Sequence, residues 1–144
     1  MLRAIDYPYQ YELDVVFRDL DAMGHVNNAV YFTYLETARL RYLMDLLALP
    51  EIGAIPVIMA NASCAYLSPA HYGERLVIGV GISRLGTKSF DMAYKVETVS
   101  GRDVAQAKTV QVMYDYATGQ TMAIPEWFKA RIAAAQQDWT INKS

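Results

Sequence analysis

Between Phe17 and Tyr31 the chain places two acids, Asp19 and Asp21, a histidine, His25, and two asparagines, Asn27 and Asn28, in a loop that opens directly into a helical pattern. The N-terminus of a helix carries backbone N–H groups without intrahelical partners, and it is the positive end of the helix dipole. A carboxylate beside such an end combines an attacking group or proton acceptor with donors for a developing oxyanion. Hydrolysis of an activated acyl group requires that combination.

Each candidate also has a plain structural reading. An isolated loop aspartate most often makes an Asx-turn without chemistry. Asp21 precedes Asn28 by seven positions, so it can fold back towards the helix start; Asp19 suits a role holding the loop through backbone hydrogen bonds. Asn28 or Asn27 is a natural N-cap. Histidine is a common general acid–base, which makes His25 a candidate, but it can equally lock the loop, and the structural role is favoured. Asp21 and His25 lack a third metal ligand at sensible spacing, and His71 falls in a distant turn, so no metal site is expected. Glu36, within the helix, is a rival carboxylate that would ordinarily pair with Arg39. Cys64 is the lone cysteine, set among small residues, and reads as core. Ser83 lacks the strand-to-helix elbow of a hydrolase serine, and no phosphate-binding glycine loop precedes a helix.

These residues need elements to position them. Tyr11, Leu13, Val15 and Phe17 alternate with Glu12, Asp14 and Arg18, as in a half-buried strand. From Asn28 to Leu47, Val30, Tyr34, Leu35, Ala38, Tyr42 and Leu46 recur at helical spacing, and Pro50 stops the run. Roughly twenty residues make a rod of about 30 Å. Phe32, Thr33 and Leu40 interrupt its polar face, so burial on most sides is expected. From Pro56 to Tyr116 the pattern is β. Leu76, Ile78, Val80 and Ile82 share one face, and Gly79 and Gly81 on the other predict a backbone in close approach. Phe90, Met92, Tyr94 and Val96 alternate with Asp91, Lys95 and Glu97. Short turns at Gly86 and Gly101 imply antiparallel hairpins. In Asp103–Tyr116 the apolar face is blurred, which a bulge near Lys108 would explain. Pro125 starts a helix over Glu126–Gln137, and the last residues read as a frayed tail. The class is α+β: a single domain over 1–144, with one antiparallel sheet curled around one helix and a partly apolar outer face that predicts a homodimer or homotetramer.

Composition agrees. With 144 residues, 53% hydrophobic, 19% charged and a net charge of −2, the chain is globular and has no global basic field for nucleic acid. No apolar run reaches membrane-spanning length and no basic-then-apolar leader opens the chain, so a cytoplasmic protein is expected. Eleven tyrosines exceed what the strands can hide, which points to a pocket or a subunit interface.

Phe17, Asp19, Asp21, Gly24, Tyr31 and the run Glu36-Thr-Ala38-Arg39 resemble the signature of the hot-dog-fold acyl-CoA thioesterases of the 4-hydroxybenzoyl-CoA thioesterase type. Gly24-His25-Val26-Asn27-Asn28 is similar to a common bacterial branch. Pro69, Gly73, Leu76 and Lys88-Ser89-Phe90 also fall where similar proteins have them. The resemblance implies one long antiparallel curved sheet wrapped around a central helix, and hydrolysis of an acyl-CoA to free acid and CoA without a metal or redox cofactor. It makes Asp21 the catalytic carboxylate, as nucleophile or general base, and has Asn28 donate its backbone N–H to the thioester carbonyl. The acyl group would lie beside Tyr31 and Tyr34. Lys88 and Ser89, with Arg84 nearby, would meet CoA phosphates, although a solvated turn explains them equally well. An acyl-carrier protein is an alternative donor of the acyl group. Two rival functions stay open: a hot-dog hydratase or dehydratase using His25 with Glu36, and a non-catalytic acyl-thioester-binding protein.

Overall fold

A long helix, α1 (Asn28–Leu47), forms the spine of the computed structural model, which describes residues 2–49, 51 and 54–143. The Asn27 side chain caps it by accepting from the Ala29 N–H at 2.9 Å. Ala48, in the left-handed region at φ 53°, closes its C-terminus; Pro50, the expected stop, lies outside the described residues. Tyr31, Tyr34, Leu35, Ala38, Tyr42, Leu43, Leu46 and Leu47 are buried. The opposite side, with Phe32, Thr33, Glu36 and Arg41, is exposed. The helix is therefore buried on one side, not on most sides as its interrupted polar face suggested.

That buried side packs into a curled antiparallel sheet. Its strands are β1 (Tyr9–Asp14), β2 (Val57–Tyr66), β3 (Arg75–Leu85), β4 (Ser89–Thr98) and β5 (Asp103–Asp115), in the order β1-β3-β4-β5-β2. Leu76, Ile78, Val80 and Ile82 of β3 and Phe90, Met92, Tyr94 and Val96 of β4 are almost wholly buried, as their period of two requires. Short β6 (Gln120–Thr121) pairs with β5, and α2 (Glu126–Ala135) closes one end through Phe128 and Ile132. This is the hot-dog arrangement. Among the described residues no helix is long and apolar enough to cross a membrane.

Several expectations are corrected. Strand β1 stops at Asp14. A turn of 3₁₀ helix over Phe17–Asp19 then swings Phe17 out to 78% exposure, so Phe17 does not continue the buried face. No register shift occurs at Lys108; the irregularities fall at Met59/Asn61, Ile82/Arg84 and Val96/Glu97. The apolar face of β5 is blurred because Thr109 and Gln111 point inward and are hydrogen-bonded, with Tyr94 Oη and Thr109 Oγ1 2.7 Å apart and Gln111 Nε2 donating to Thr109 Oγ1 at 3.1 Å.

The C-terminus is not frayed over its described residues. Trp139 Nε1 donates to the Ile82 carbonyl at 3.0 Å, and β7 (Asn142–Lys143) pairs in parallel with the end of β3. The glycine face of β3 is covered: Ala4 and Tyr7 lie over Gly79, and Pro8 and Trp139 over Gly81. Beside it β4 carries buried carboxylates paired with partly exposed arginines, Arg84–Asp91 at 2.8 Å and Arg3–Glu97 at 3.2 Å. Among the described residues β2 is an edge strand, with β5 on one side only, and its Ile58, Met59 and Tyr66 are 41–47% exposed.

Candidate active site

The loop before α1 is built by its own acids. Asp19 accepts from the Val16 N–H through Oδ2 at 3.2 Å and from the Tyr34 hydroxyl at 2.7 Å, while its carbonyl accepts from Asn27 N–H. Asp21 and His25 face each other across a tight turn. Asp21 N–H donates to the His25 carbonyl at 2.8 Å, and Asp21 Oδ1 accepts from Met23 N–H at 2.9 Å and His25 N–H at 3.3 Å. Gly24, at φ 80°, supplies the conformation this turn needs. Both of these N–H groups converge on Oδ1, so the carboxylate is anchored through that oxygen.

Asp21, His25, Asn28 and Tyr31 line one cavity of about 440 Å³, together with Tyr66, Ser68 and Pro69. The N-terminus of α1 opens into it. Asn27 Oδ1 takes the Ala29 N–H and the Asn27 carbonyl takes the Val30 N–H, while Asn28, the first residue of the helix, lines the cavity at the positive end of the helix dipole. Tyr66, at the end of β2, donates its hydroxyl to the Asn28 carbonyl at 2.9 Å, and its ring lies 5.3 Å from that of Tyr31. Burial pushes the Tyr31 hydroxyl up, so it stays a neutral hydrogen-bonding group. Burial also pushes the Cys64 thiol up, which disfavours the thiolate a nucleophile would need.

The far wall is the connection between β2 and β3. Its Ala70 carbonyl accepts from Val26 N–H at 2.9 Å, and His71 forms a β-bridge with His25, their imidazoles edge-on at 5.2 Å. His71 is thus the neighbour of His25, not a residue of a distant turn. Among the described residues no three of His, Cys, Asp or Glu gather as metal ligands.

The remaining candidates lie elsewhere. Tyr34 is turned to Asp19. Glu36, with a 59% exposed side chain, pairs with Arg39 at 3.7 Å beside a smaller cavity of about 130 Å³ near Phe32 and Met59. Lys88 Nζ donates to Thr121 Oγ1 at 3.3 Å and Ser89 Oγ accepts from Arg84 at 2.9 Å. Both stand where β4 begins, whereas the cavity lies by Tyr66 and Ala105, beside Val96 at the far end of β4. Tyr66 and Ser68 were not anticipated. Only the aromatic at the end of a strand of small residues hinted at the former.

Residues 15–132 match the thioesterase-like superfamily, and the chain belongs to that family, as a thioester hydrolase of the hot-dog fold. It is similar to a thioesterase from Thermus thermophilus crystallised with coenzyme A and Zn: 34% identical, covering 90% of this chain and 95% of that one, with a TM-score of 0.83. The 1,4-dihydroxy-2-naphthoyl-CoA hydrolase of Thermosynechococcus vestitus is 27% identical over 136 residues, 89% of this chain and 90% of that protein. The enzyme of the same name from Nostoc punctiforme is 29% identical over 126 residues, 82% of each chain.

Proposed function

We propose that this chain hydrolyses an acyl-CoA thioester to the free acid and coenzyme A, with Asp21 as its catalytic carboxylate. The observation that carries this reading is that the Asp21 carboxylate and the N-terminus of α1 line one cavity. Asp21 either takes the proton of an attacking water or adds directly to the carbonyl carbon. In the first route the C–S bond breaks as the tetrahedral intermediate collapses, and CoA leaves as thiolate. In the second, Asp21 displaces CoA as thiolate by breaking the C–S bond, an acyl–Asp21 anhydride forms, and water then hydrolyses it to the acid and free Asp21. In both, the Asn28 N–H and the dipole of α1 take up the oxyanion. Removal of one such donor costs about 3 kcal/mol in enzymes of this logic.

His25 serves through its backbone, which holds Asp21 Oδ1. The acyl group lies in the cavity against Tyr31 and Tyr66, whose rings line it side by side. The CoA moiety is supported by the Thermus relative solved with coenzyme A and by the cyanobacterial relatives named for a CoA thioester. Lys88 and Ser89 lie roughly 25 Å along β4 from Val96, beside the cavity, so contact with CoA phosphates calls for a second copy of the chain. The partly apolar edge strand β2 offers such a copy a surface, in a homodimer or homotetramer.

The test is thiol release from short, long and aromatic acyl-CoAs by wild type and Asp21→Asn. Asparagine keeps an Oδ1 acceptor for Met23 and His25, so the loop persists. A loss of about 10²- to 10⁴-fold in kcat is expected. Full activity in the variant would move the role to another group, with Glu36 first in line.

A further inference from the structure

The wall of the cavity opposite α1 is held from behind by one side chain, Arg102, in the turn between β4 and β5. Its Nε donates to Ser68 Oγ at 3.2 Å and its Nη2 to the Pro69 carbonyl at 2.7 Å. Nη1 and Nη2 grip the two oxygens of Glu74 at 3.0 and 2.9 Å. Glu74 Oε1 accepts in addition from His71 N–H at 2.8 Å. Ser68, Pro69, His71 and Glu74 all belong to the connection between β2 and β3, so one guanidinium ties this segment at three places.

The Arg102 side chain is 44% exposed and that of Glu74 24%. An isolated ion pair so placed would contribute little. This one differs because a planar fork bonded in several directions admits one geometry, which an ammonium could not reproduce.

The clamped segment is the one that meets the catalytic loop. Ala70 takes the Val26 N–H, and Val26 immediately precedes the N-cap Asn27. His71 bridges to His25, whose N–H and carbonyl both bond Asp21. A shift of residues 68–74 therefore moves the support of Asp21 and the support of the helix start together.

We propose that Arg102 is a positioning residue of this enzyme: by clamping Ser68, Pro69 and Glu74 it fixes the Asp21 carboxylate relative to the N-terminus of α1. The inference rests on the reading of Asp21 as the catalytic carboxylate. Displacement of a reacting group by about 1 Å can cost about 10²-fold in rate. The clamp acts on that displacement without touching the substrate.

The experiment compares wild type, Arg102→Gln and Arg102→Lys in steady-state acyl-CoA hydrolysis and in native-state amide hydrogen exchange. In Arg102→Gln, kcat is expected to fall about 10- to 100-fold with KM within about twofold, and Arg102→Lys to recover little of the loss. Free guanidinium at sub-denaturing concentration is expected to restore part of kcat in Arg102→Gln. Exchange of the Val26 and His25 amides should rise at least about tenfold while the amides of β3 and β4 stay protected. Unchanged Val26 exchange, a rise in KM alone, or a uniform loss of protection across β3 and β4 would each overturn the proposal. The exchange readout does not depend on the identity of the catalytic group, whereas a fully active Asp21→Asn would defeat the Asp21 reading alone.

Discussion

The Tyr34 hydroxyl donates to Asp19 Oδ2 at 2.7 Å, so the helix whose N-terminus shares a cavity with Asp21 holds the other acid of the loop from nearly two turns further along. The two acids of the loop are divided in labour. Asp19 is tied to Val16, Asn27 and Tyr34, whereas Asp21 opens on the cavity. Burial, reinforced by Asp19, pushes the Tyr34 hydroxyl far up, so it remains a donor at every working pH. Tyr34→Phe is expected to cost about 2 kcal/mol, the range for a hydrogen bond to a charged group, read from urea denaturation. Its effect on kcat should be smaller than that of Asp21→Asn. An unchanged urea midpoint would show that the Asp19 loop stands without Tyr34.

Gly79 tests the covering of the sheet. A Cβ there would lie 2.5 Å from the Ala4 carbonyl oxygen and 2.8 Å from Tyr7 Cγ. Gly79→Ala must therefore lift the N-terminal segment off β3. A loss of about 1–3 kcal/mol is expected, with faster proteolysis before Tyr9. Equal proteolysis of variant and wild type would mean that the segment accommodates the methyl group in place.

The close approach at Gly79 was legible in the sequence because two glycines on one face of an otherwise apolar strand have few other uses. The frame of α1 and the inward faces of β3 and β4 were legible for the same reason: local periodicity encodes them. The loop from Asp19 to Asn28 was legible from residue type and spacing. Contacts between segments far apart in sequence were not. His71 meets His25 only because the β2–β3 connection folds over the loop before α1. Arg102 finds its acceptors about thirty residues back, at Ser68, Pro69 and Glu74. Thr109 and Gln111 read as breaks in a pattern because Tyr94, which satisfies Thr109, sits on the next strand. Phe17 followed the alternation of β1, but a 3₁₀ turn ended the strand before it.

Acid stability follows from two carboxylates. Burial alone would raise the Asp91 carboxyl, but Arg84 and Lys108 outweigh it and hold it below the usual range. The Arg102 fork does the same for Glu74. Groups depressed in the folded chain stabilise it above their ordinary pKa of about 4 and lose that contribution as pH falls through the folded value. The urea midpoint is therefore expected to hold from about pH 7 to 5 and to fall from about pH 5 to 3. Asp91→Asn should lower the plateau and shallow the acid limb. An acid limb of unchanged depth would remove Asp91 from this account.

Gln136 is the joint between α1, α2 and the irregular stretch of β3. Buried to 3% exposure, its Oε1 accepts from the Tyr42 hydroxyl at 2.6 Å and from Ile82 N–H at 2.9 Å, while Nε2 donates to the Ile82 carbonyl at 2.9 Å. Gln136→Leu keeps the volume but strands the Ile82 N–H and the Tyr42 hydroxyl in the core. The expected cost is about 3 kcal/mol, since an unsatisfied buried donor costs about 1–3 kcal/mol. For a chain of this length that lowers Tm by roughly 10 °C. The Ile82 carbonyl still accepts from Trp139 Nε1 in that variant, so Trp139→Phe in the wild-type background should cost less, about 1 kcal/mol. Because the two share one acceptor, the double variant should lose more than the sum of the singles, as both donors to the Ile82 carbonyl are then gone. Additive losses in a urea-denaturation cycle would mean that water replaces the missing donor. Neither change lies near Asp21, so kcat should hold at temperatures where the variants stay folded.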